Sequence, residues 1–269
     1  MKIAIQTIVF NAENVLPSGM LSAWLKQADF ADLVLITEGA TRAETHAWDG
    51  DTSSFTEDGA STDGTRSTIE DFIKDKPKFH LKRAEGFWDG KTPMFNYWFD
   101  HTDLLDGFDY VWQIDLDEFY MSADVEILKS ILEQDSPDYV DFFANHFWGD
   151  FNHVIDERND GRWANQIPWR RIFKLSKGSR WISHEPPRMV PVSSKGISKY
   201  ETLRRGIKLF HYSYVSREQA EFKSVFFRNP EKLRLFDAWQ TNKSMPIFGC
   251  SVHPFDGRHP EVIHDTYQV

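Results

Sequence analysis

The chain has 269 residues, with 31 Lys and Arg against 41 Asp and Glu, for a formal net charge of −10. That balance argues against a general nucleic-acid binder, which needs a basic face to displace counterions, and against a polybasic membrane anchor. Hydrophobic content of 41% and aromatic content of 15% are enough to bury a core, and the single cysteine, Cys250, excludes an internal disulfide or a multi-cysteine metal centre. No run reaches the roughly 18 apolar residues of a membrane span. Met1 to Phe10 lacks the small-residue cleavage site of a signal peptide and reads as a first core strand. The expectation is a soluble, cytoplasmic protein without internal repeats.

In chain order, Ile3 to Val9 is a short, β-branched and nearly all-apolar run, as a buried parallel strand requires. Pro17 and Ser18 open a helix whose apolar face is Met20, Leu21, Trp24, Leu25 and Ala28. Leu33 to Ile36 is a second strand, ending at Glu38-Gly39, and Thr65 to Asp75 a second helix with Ile69, Phe72 and Ile73 inward. Phe79-His80-Leu81 is a third strand. Thr92 is read as an N-cap with Pro93 at the first helical position, in a helix running through Phe95, Trp98 and Phe99. Tyr110 to Ile114 is a fourth strand. Strand–helix alternation of this kind predicts a parallel sheet with ligands beyond the carboxyl ends of its strands.

The second half differs in pattern. Arg171 to Leu175 and Arg180 to Ile182, joined at Lys177-Gly178, suggest a hairpin, and Ile207 to Val215 another strand. Ser216 and Gln219 form a capping-box pattern opening a helix through Phe226 and Phe227, and Asn229-Pro230 starts one more. The His-, Pro- and Gly-rich tail from Gly249 is expected to be extended. No linker divides the chain, so 1–269 reads as a single domain.

The strongest chemical signal is Asp115-Leu116-Asp117-Glu118 at the carboxyl end of the fourth strand. Asp115 and Asp117 share a face if the chain stays extended. Two adjacent carboxylates repel unless a cation lies between them, and hard oxygen ligands suit Mg²⁺ or Mn²⁺ held together with substrate phosphates. The alternative is an acidic loop before a helix capped by Ser122. A second signal, Asp58-Gly59-Ala60-Ser61-Thr62-Asp63-Gly64-Thr65 before a helix, is either an anion cradle or a polar turn. Neither a Walker pattern nor a Gly-x-Gly-x-x-Gly is present, which argues against P-loop enzymes and dinucleotide dehydrogenases.

Thr7 to Glu13 after the first strand, the Asp58 to Thr65 turn and the Asp115 to Glu118 cluster, in that order over residues 1 to 120, together resemble the family 2 glycosyltransferases. The resemblance implies an α/β GT-A fold, a Rossmann-like, mostly parallel sheet flanked by helices, with a mixed α+β second half. It implies a nucleotide-sugar donor, a UDP-sugar in this reading, and Mn²⁺ or Mg²⁺ as cofactor. Transfer would invert the anomeric centre and pass the sugar to a hydroxyl acceptor such as a glycan. Residues 1–120 would bind the nucleotide-sugar, and 121–269 would bind the acceptor and complete the metal shell.

Carried over position by position, Thr7 and Asn11 fall in the nucleotide-contacting first loop and Glu38 where an acid reads the base. Asp115 would face the ribose and cation, and Asp117 would ligate the cation. Lys91 becomes a donor-phosphate or base contact or a solvated lysine. One departure is that the fuller Asp-Gly turn comes only after Thr41 to Thr56, leaving Glu38-Gly39-Ala40-Thr41 directly behind the second strand. Glu185, in the rigid string Trp181 to Pro187, is the expected catalytic base, with Glu201 and Asp150 behind it. His211 is the expected histidine of the metal shell, ahead of His253, His259 and His264, or else a histidine satisfied beside two tyrosines. Trp24, Trp98 and Trp112 are expected in the core; Trp148, Trp169 and Trp181 are expected to line the acceptor side. Arg170 and Arg171 either meet an anion or form a solvated strand edge.

Two other classes remain in view. A sugar nucleotidyltransferase would want a basic, Gly-rich first loop, whereas Asn11 to Pro17 is neutral to acidic. A non-catalytic carbohydrate-binding module is ordinarily all-β, which the alternating first half contradicts.

Overall fold

The computed structural model describes residues 1–42, 56–155, 169–191 and 195–269. The first half contains β1 (Ile3–Val9), α1 (Ala12–Val15), α2 (Met20–Ala28), β2 (Leu33–Glu38), α3 (Thr65–Ile73), β3 (Phe79–Lys82), α4 (Lys91–His101), β4 (Tyr110–Gln113) and β5 (Glu118–Phe119). Then follow α5 (Ser122–Asp135), β6 (Tyr139–Phe142), β7 (Ala144–Trp148), β8 (His153–Ile155), β9 (Trp169–Lys174), β10 (Arg180–His184), β11 (Pro187–Val190) and β12 (Gly196–Ile197). The chain closes with α6 (Lys199–Arg204), β13 (Leu209–Tyr214), α7 (Arg217–Phe226), α8 (Glu231–Thr241), β14 (Val252–Pro254) and α9 (Glu261–Tyr267).

The principal sheet has seven strands in the order β12-β6-β9-β4-β1-β2-β3. Strands β3, β2, β1 and β4 run parallel, β9 lies antiparallel between β4 and β6, and β12 is parallel to β6. β1, β2 and β4 are buried along nearly their whole length, which is why they read as continuous apolar runs. The fold is therefore α/β, with a mostly parallel sheet, helical crossovers and a mixed second half. Trp24 and Trp112 are fully buried in the main core, and Trp98 is buried in a neighbouring cluster, as their spacing predicts.

A five-stranded sheet, β14-β8-β7-β13-β5, stands at the carboxyl end of β4. Its register places His211 opposite Glu118 in the antiparallel β13–β5 pair and opposite His146 in the parallel β13–β7 pair. This register, and not sequence proximity, brings residues from both halves together.

Four local expectations are corrected. β9 and β10 do not form a hairpin: the turn exists, with Ser179 donating its amide to Ser176, but β9 enters the main sheet and β10 pairs with β11. Ser122 is the first helical residue of α5 rather than its cap, and its hydroxyl and amide both donate to Glu261. α4 begins at Lys91, one residue before Thr92, because Gly90 takes the cap position at a φ of 151°. The tail is not wholly extended: Glu261 opens a short helix, α9, with Ile263 buried, and it packs on α2. The capping box at Ser216 and Gln219 forms in both directions. Among the described residues, no helix is long and apolar enough to cross a membrane.

Candidate active site

Beyond β4 the backbone turns, with the Glu118 amide donating to the Asp115 carbonyl at 2.9 Å. Asp115 and Asp117 thus do not lie along an extended strand as expected, yet both side chains line one cavity of about 420 Å³. The Tyr212 amide donates to the Asp117 carbonyl at 2.8 Å, fixing the turn to β13. Glu118 points the other way. It is fully buried and accepts two bonds from Arg171 Nε at 2.8 and 2.9 Å, with a third contact from the same guanidinium.

Each acid has its own partners. Asp117 Oδ2 accepts from Lys223 Nζ at 2.8 Å, and Asp117 Oδ1 lies 3.5 Å from His211 Nε2. Asp115 lies 3.6 Å from His184 Nε2 and 3.4 Å from Arg171. Burial pushes both carboxyls up. For Asp115 the His184 imidazole and Arg171 more than reverse it, and for Asp117 the Lys223 and His211 contacts do, so both are held below the ordinary carboxylate range. Glu118 goes the other way, raised by burial against the pull of Arg171. His146 and His211 share a hydrogen bond between their Nδ1 atoms at 2.8 Å. Burial, then the neighbouring His211 and Lys223, hold His146 well below its usual value.

The donor set suits a divalent cation. Asp117 Oδ1 and His211 Nε2, 3.5 Å apart on one cavity wall, are near enough to face the same ion. Among the described residues, no three His, Cys, Asp or Glu side chains group tightly enough to hold a metal alone. A site of one or two carboxylates completed by substrate phosphates needs no such group.

Of the residues singled out in the sequence, Asp115, Asp117, His211, Lys91, Glu185, Trp169 and Arg171 line the cavity, Arg171 as a buried partner of Glu118 and not as a solvated strand edge. Lys91 Nζ lies 4.5 Å from the Phe226 ring centroid, and Glu185 is exposed at the rim. Thr7 does not reach it: its side chain is buried inside β1. Asn11 and Glu38 are engaged elsewhere. Asn11 Oδ1 accepts from the Thr62 amide at 2.8 Å, while the buried Glu38 carboxylate accepts from the Ser61 amide at 2.6 Å, Arg66 at 3.2 Å and the Ala84 amide at 3.3 Å. The Asp58 to Thr65 segment is therefore a polar turn stapled to the end of β1. Asp63 completes it by accepting from the Asn14 and Thr65 amides. Residues 43–55, which hold most of the Thr41 to Thr56 insertion, lie outside the described residues.

Two of the three acceptor-side tryptophans are corrected to core positions. Trp148 is fully buried against Tyr214, Phe236 and Phe248, and Trp181 is buried with its indole donating to Gln6 at 2.6 Å. Arg170 pairs with Asp141 and stacks on Tyr139. The rival bases lie in other contacts, Asp150 with His153 and Glu201 with Arg205. His259 is buried against Tyr212, and His264 caps the chain end through Val269. Sequence reasoning missed Lys223, Lys232 and His146, and gave His184 no part in the site. His146 announces itself only through the β7–β13 register, and the lysines carry no local signal at all.

No protein-family model matches the sequence, and no curated protein does. Among solved structures, the fold is similar to S. aureus TarS 1–349 in complex with UDP-GlcNAc, at 15% identity and a TM-score of 0.38 over 55% of this chain and 35% of that one. It is also similar to a second structure of S. aureus TarS 1–349, at 12% identity and a TM-score of 0.44 over 90% of this chain and 74% of the other. A third neighbour is mannose-1-phosphate geranyltransferase from Thermus thermophilus, at 11% identity and a TM-score of 0.30 over 90% and 65% of the two chains. The part aligned with the first of these spans about a third of that chain's length.

Proposed function

We propose that the chain is a glycosyltransferase of GT-A, family 2-like type, moving a sugar from a nucleoside-diphosphate donor, a UDP-sugar by preference, to a hydroxyl acceptor such as a glycan. The observation that carries this reading is the cavity beyond β4, where Asp115, Asp117, His211, Lys91 and Glu185 converge from both halves of the chain. A pair of acids held ionised, cationic side chains and an exposed carboxylate suit a diphosphate leaving group and an attacking hydroxyl. In this reading the chain is one cytoplasmic transferase unit, with 1–120 holding the donor and 121–269 supplying the acceptor side.

Asp115, Asp117 and His211 are the proposed ligands of Mn²⁺, or of Mg²⁺ with less favour because an imidazole suits the softer ion. When bound, the ion would neutralise charge developing on the leaving diphosphate. His146 orients His211 through the shared Nδ1 bond, leaving Nε2 toward Asp117. Lys91 meets a donor phosphate. Glu185 accepts the acceptor hydroxyl's proton as that oxygen bonds to the anomeric carbon and the electron pair of the broken bond leaves with the diphosphate. This single displacement inverts the centre. Trp169, half-buried beside His146, His211 and Arg171, offers a ring for the transferred or receiving sugar.

The test is hydrolysis of a panel of nucleotide-sugars by the full chain, with and without Mn²⁺. Release of a nucleoside diphosphate that needs Mn²⁺ and is lost in Glu185→Gln is the expected result; general acid–base groups typically contribute about 10²–10⁴-fold. Glycan binding without any nucleotide binding would contradict it.

A further inference from the structure

The cavity holds positive charge that the donor reading leaves unassigned. Lys223 of α7 and Lys232 of α8 both line it, and the two helices pack against each other. Lys223 Nζ lies 5.0 Å from the Tyr214 ring centroid and Lys232 Nζ 3.7 Å from that of Phe227, just as Lys91 stands over Phe226. All three rings line the same cavity. Three ammonium groups from three helices thus face one space, each within cation–π distance of an aromatic ring.

The two new lysines differ in their partners. Lys223 is bonded to Asp117 and to the Ser213 hydroxyl. Lys232 makes no ion pair among the described residues. It sits half-buried, with burial and the Lys223 charge lowering it to about 8 and only Glu185 pulling the other way. An ammonium group so placed is under-compensated, and an anion arriving beside it relieves the cost.

We propose that Lys223 and Lys232 form a phosphate clamp, gripping the non-bridging oxygens of the donor's diphosphate and holding it as the bond to the sugar breaks. The proposal rests on the nucleotide-sugar reading above. It also gives the Lys223–Asp117 contact a role. In the donor-free chain the ammonium neutralises the carboxylate, and the arriving phosphate competes for that ammonium, so donor binding and release of Asp117 Oδ2 are coupled. The clamp is aimed at the diphosphate and not at the base, which separates it from any nucleoside contact near β1.

Calorimetric titration of the full chain with UDP, GDP, ADP and CDP, at neutral pH with Mn²⁺ present, identifies the preferred diphosphate. That ligand and its parent nucleoside are then titrated into Lys232→Met, Lys223→Met and Lys232→Arg, after thermal melts establish that each variant is folded. Loss of a charge-assisted phosphate contact is expected to weaken the diphosphate about tenfold or more in each Met variant. Nucleoside affinity stays unchanged, and Lys232→Arg retains diphosphate binding to within about threefold. If the diphosphate binds wild type and both Met variants equally, the clamp is overturned while the donor reading stands. If none of the four diphosphates binds wild type, the donor reading fails and the clamp falls with it.

Discussion

At the carboxyl ends of β1 and β2, polar side chains answer one another. Asn11 and Glu38 accept backbone amides from the segment after Ala60, Arg66 completes the Glu38 carboxylate, and Asp63 bonds back to Asn14. At the end of β4 the acids turn toward a cavity, where their partners are lysine and imidazole groups from β13, β10 and α7. Both regions are polar termini of buried parallel strands, where ligands commonly bind. The difference is satisfaction. A carboxylate enclosed by backbone amides is a structural staple, and one faced by exchangeable cations at a cavity wall can take part in chemistry. One backbone position belongs to both regions. Gly39, at a φ of 131°, lines the cavity, and a Cβ there would meet Ala84 Cβ at 2.6 Å.

The sharpest break of this comparison is Asp117→Asn. It is expected to lower transfer by about 10³–10⁴-fold, roughly 4–5 kcal/mol of barrier, in a chain that still folds but melts lower because Lys223 loses its charged partner, as read by steady-state rates and calorimetry. Next comes the pair of tryptophans. Trp148→Ala should cost about 3–5 kcal/mol in urea unfolding, because a fully buried indole leaves a void, while Trp169→Ala should mainly weaken substrate binding. Glu38→Ala is expected to cost about 2–4 kcal/mol of stability, since buried donors lose their acceptor, with nucleotide affinity unchanged. An effect on affinity without one on stability would move Glu38 to the functional side of the comparison.

The smallest effect concerns pH. Burial, with the nearby His264, lowers His259 to about 4, below the roughly 6.5 of an unfolded histidine. Between these values the unfolded chain binds the extra proton, so stability is complete above about 6.5 and declines as pH falls toward 4. Acidification from pH 7 to pH 5 should cost about 1 kcal/mol through this group after solvent screening, and His259→Gln should flatten that part of the profile.

Much of the scaffold was legible because it is local. β1, β2 and β4 are apolar runs of strand length, and Ser216 with Gln219 is a complete helix-start signal. The α9 helix was hidden by the glycine, proline and histidine around it, and the supposed β9–β10 hairpin failed because a genuine turn does not decide which sheet its strands join. In the site, Asp115 and Asp117 stood out by residue type and by position after a strand, and His211 by residue type. Lys223, Lys232 and His146 did not, since their place depends on helix packing and strand register over long separations. The polar staple at Asn11 and Glu38 misled for a related reason: sequence gives residue type but not whether a neighbour already fills its hydrogen bonds.

The most direct measurement is an anomalous-scattering map from a crystal soaked with Mn²⁺ and UDP. The account predicts a manganese peak touching Asp117 and His211, with diphosphate oxygens between it and the lysines of α7 and α8. A nucleotide bound at another face, with Asp117 still closed on Lys223 and no ion beside it, would contradict the account.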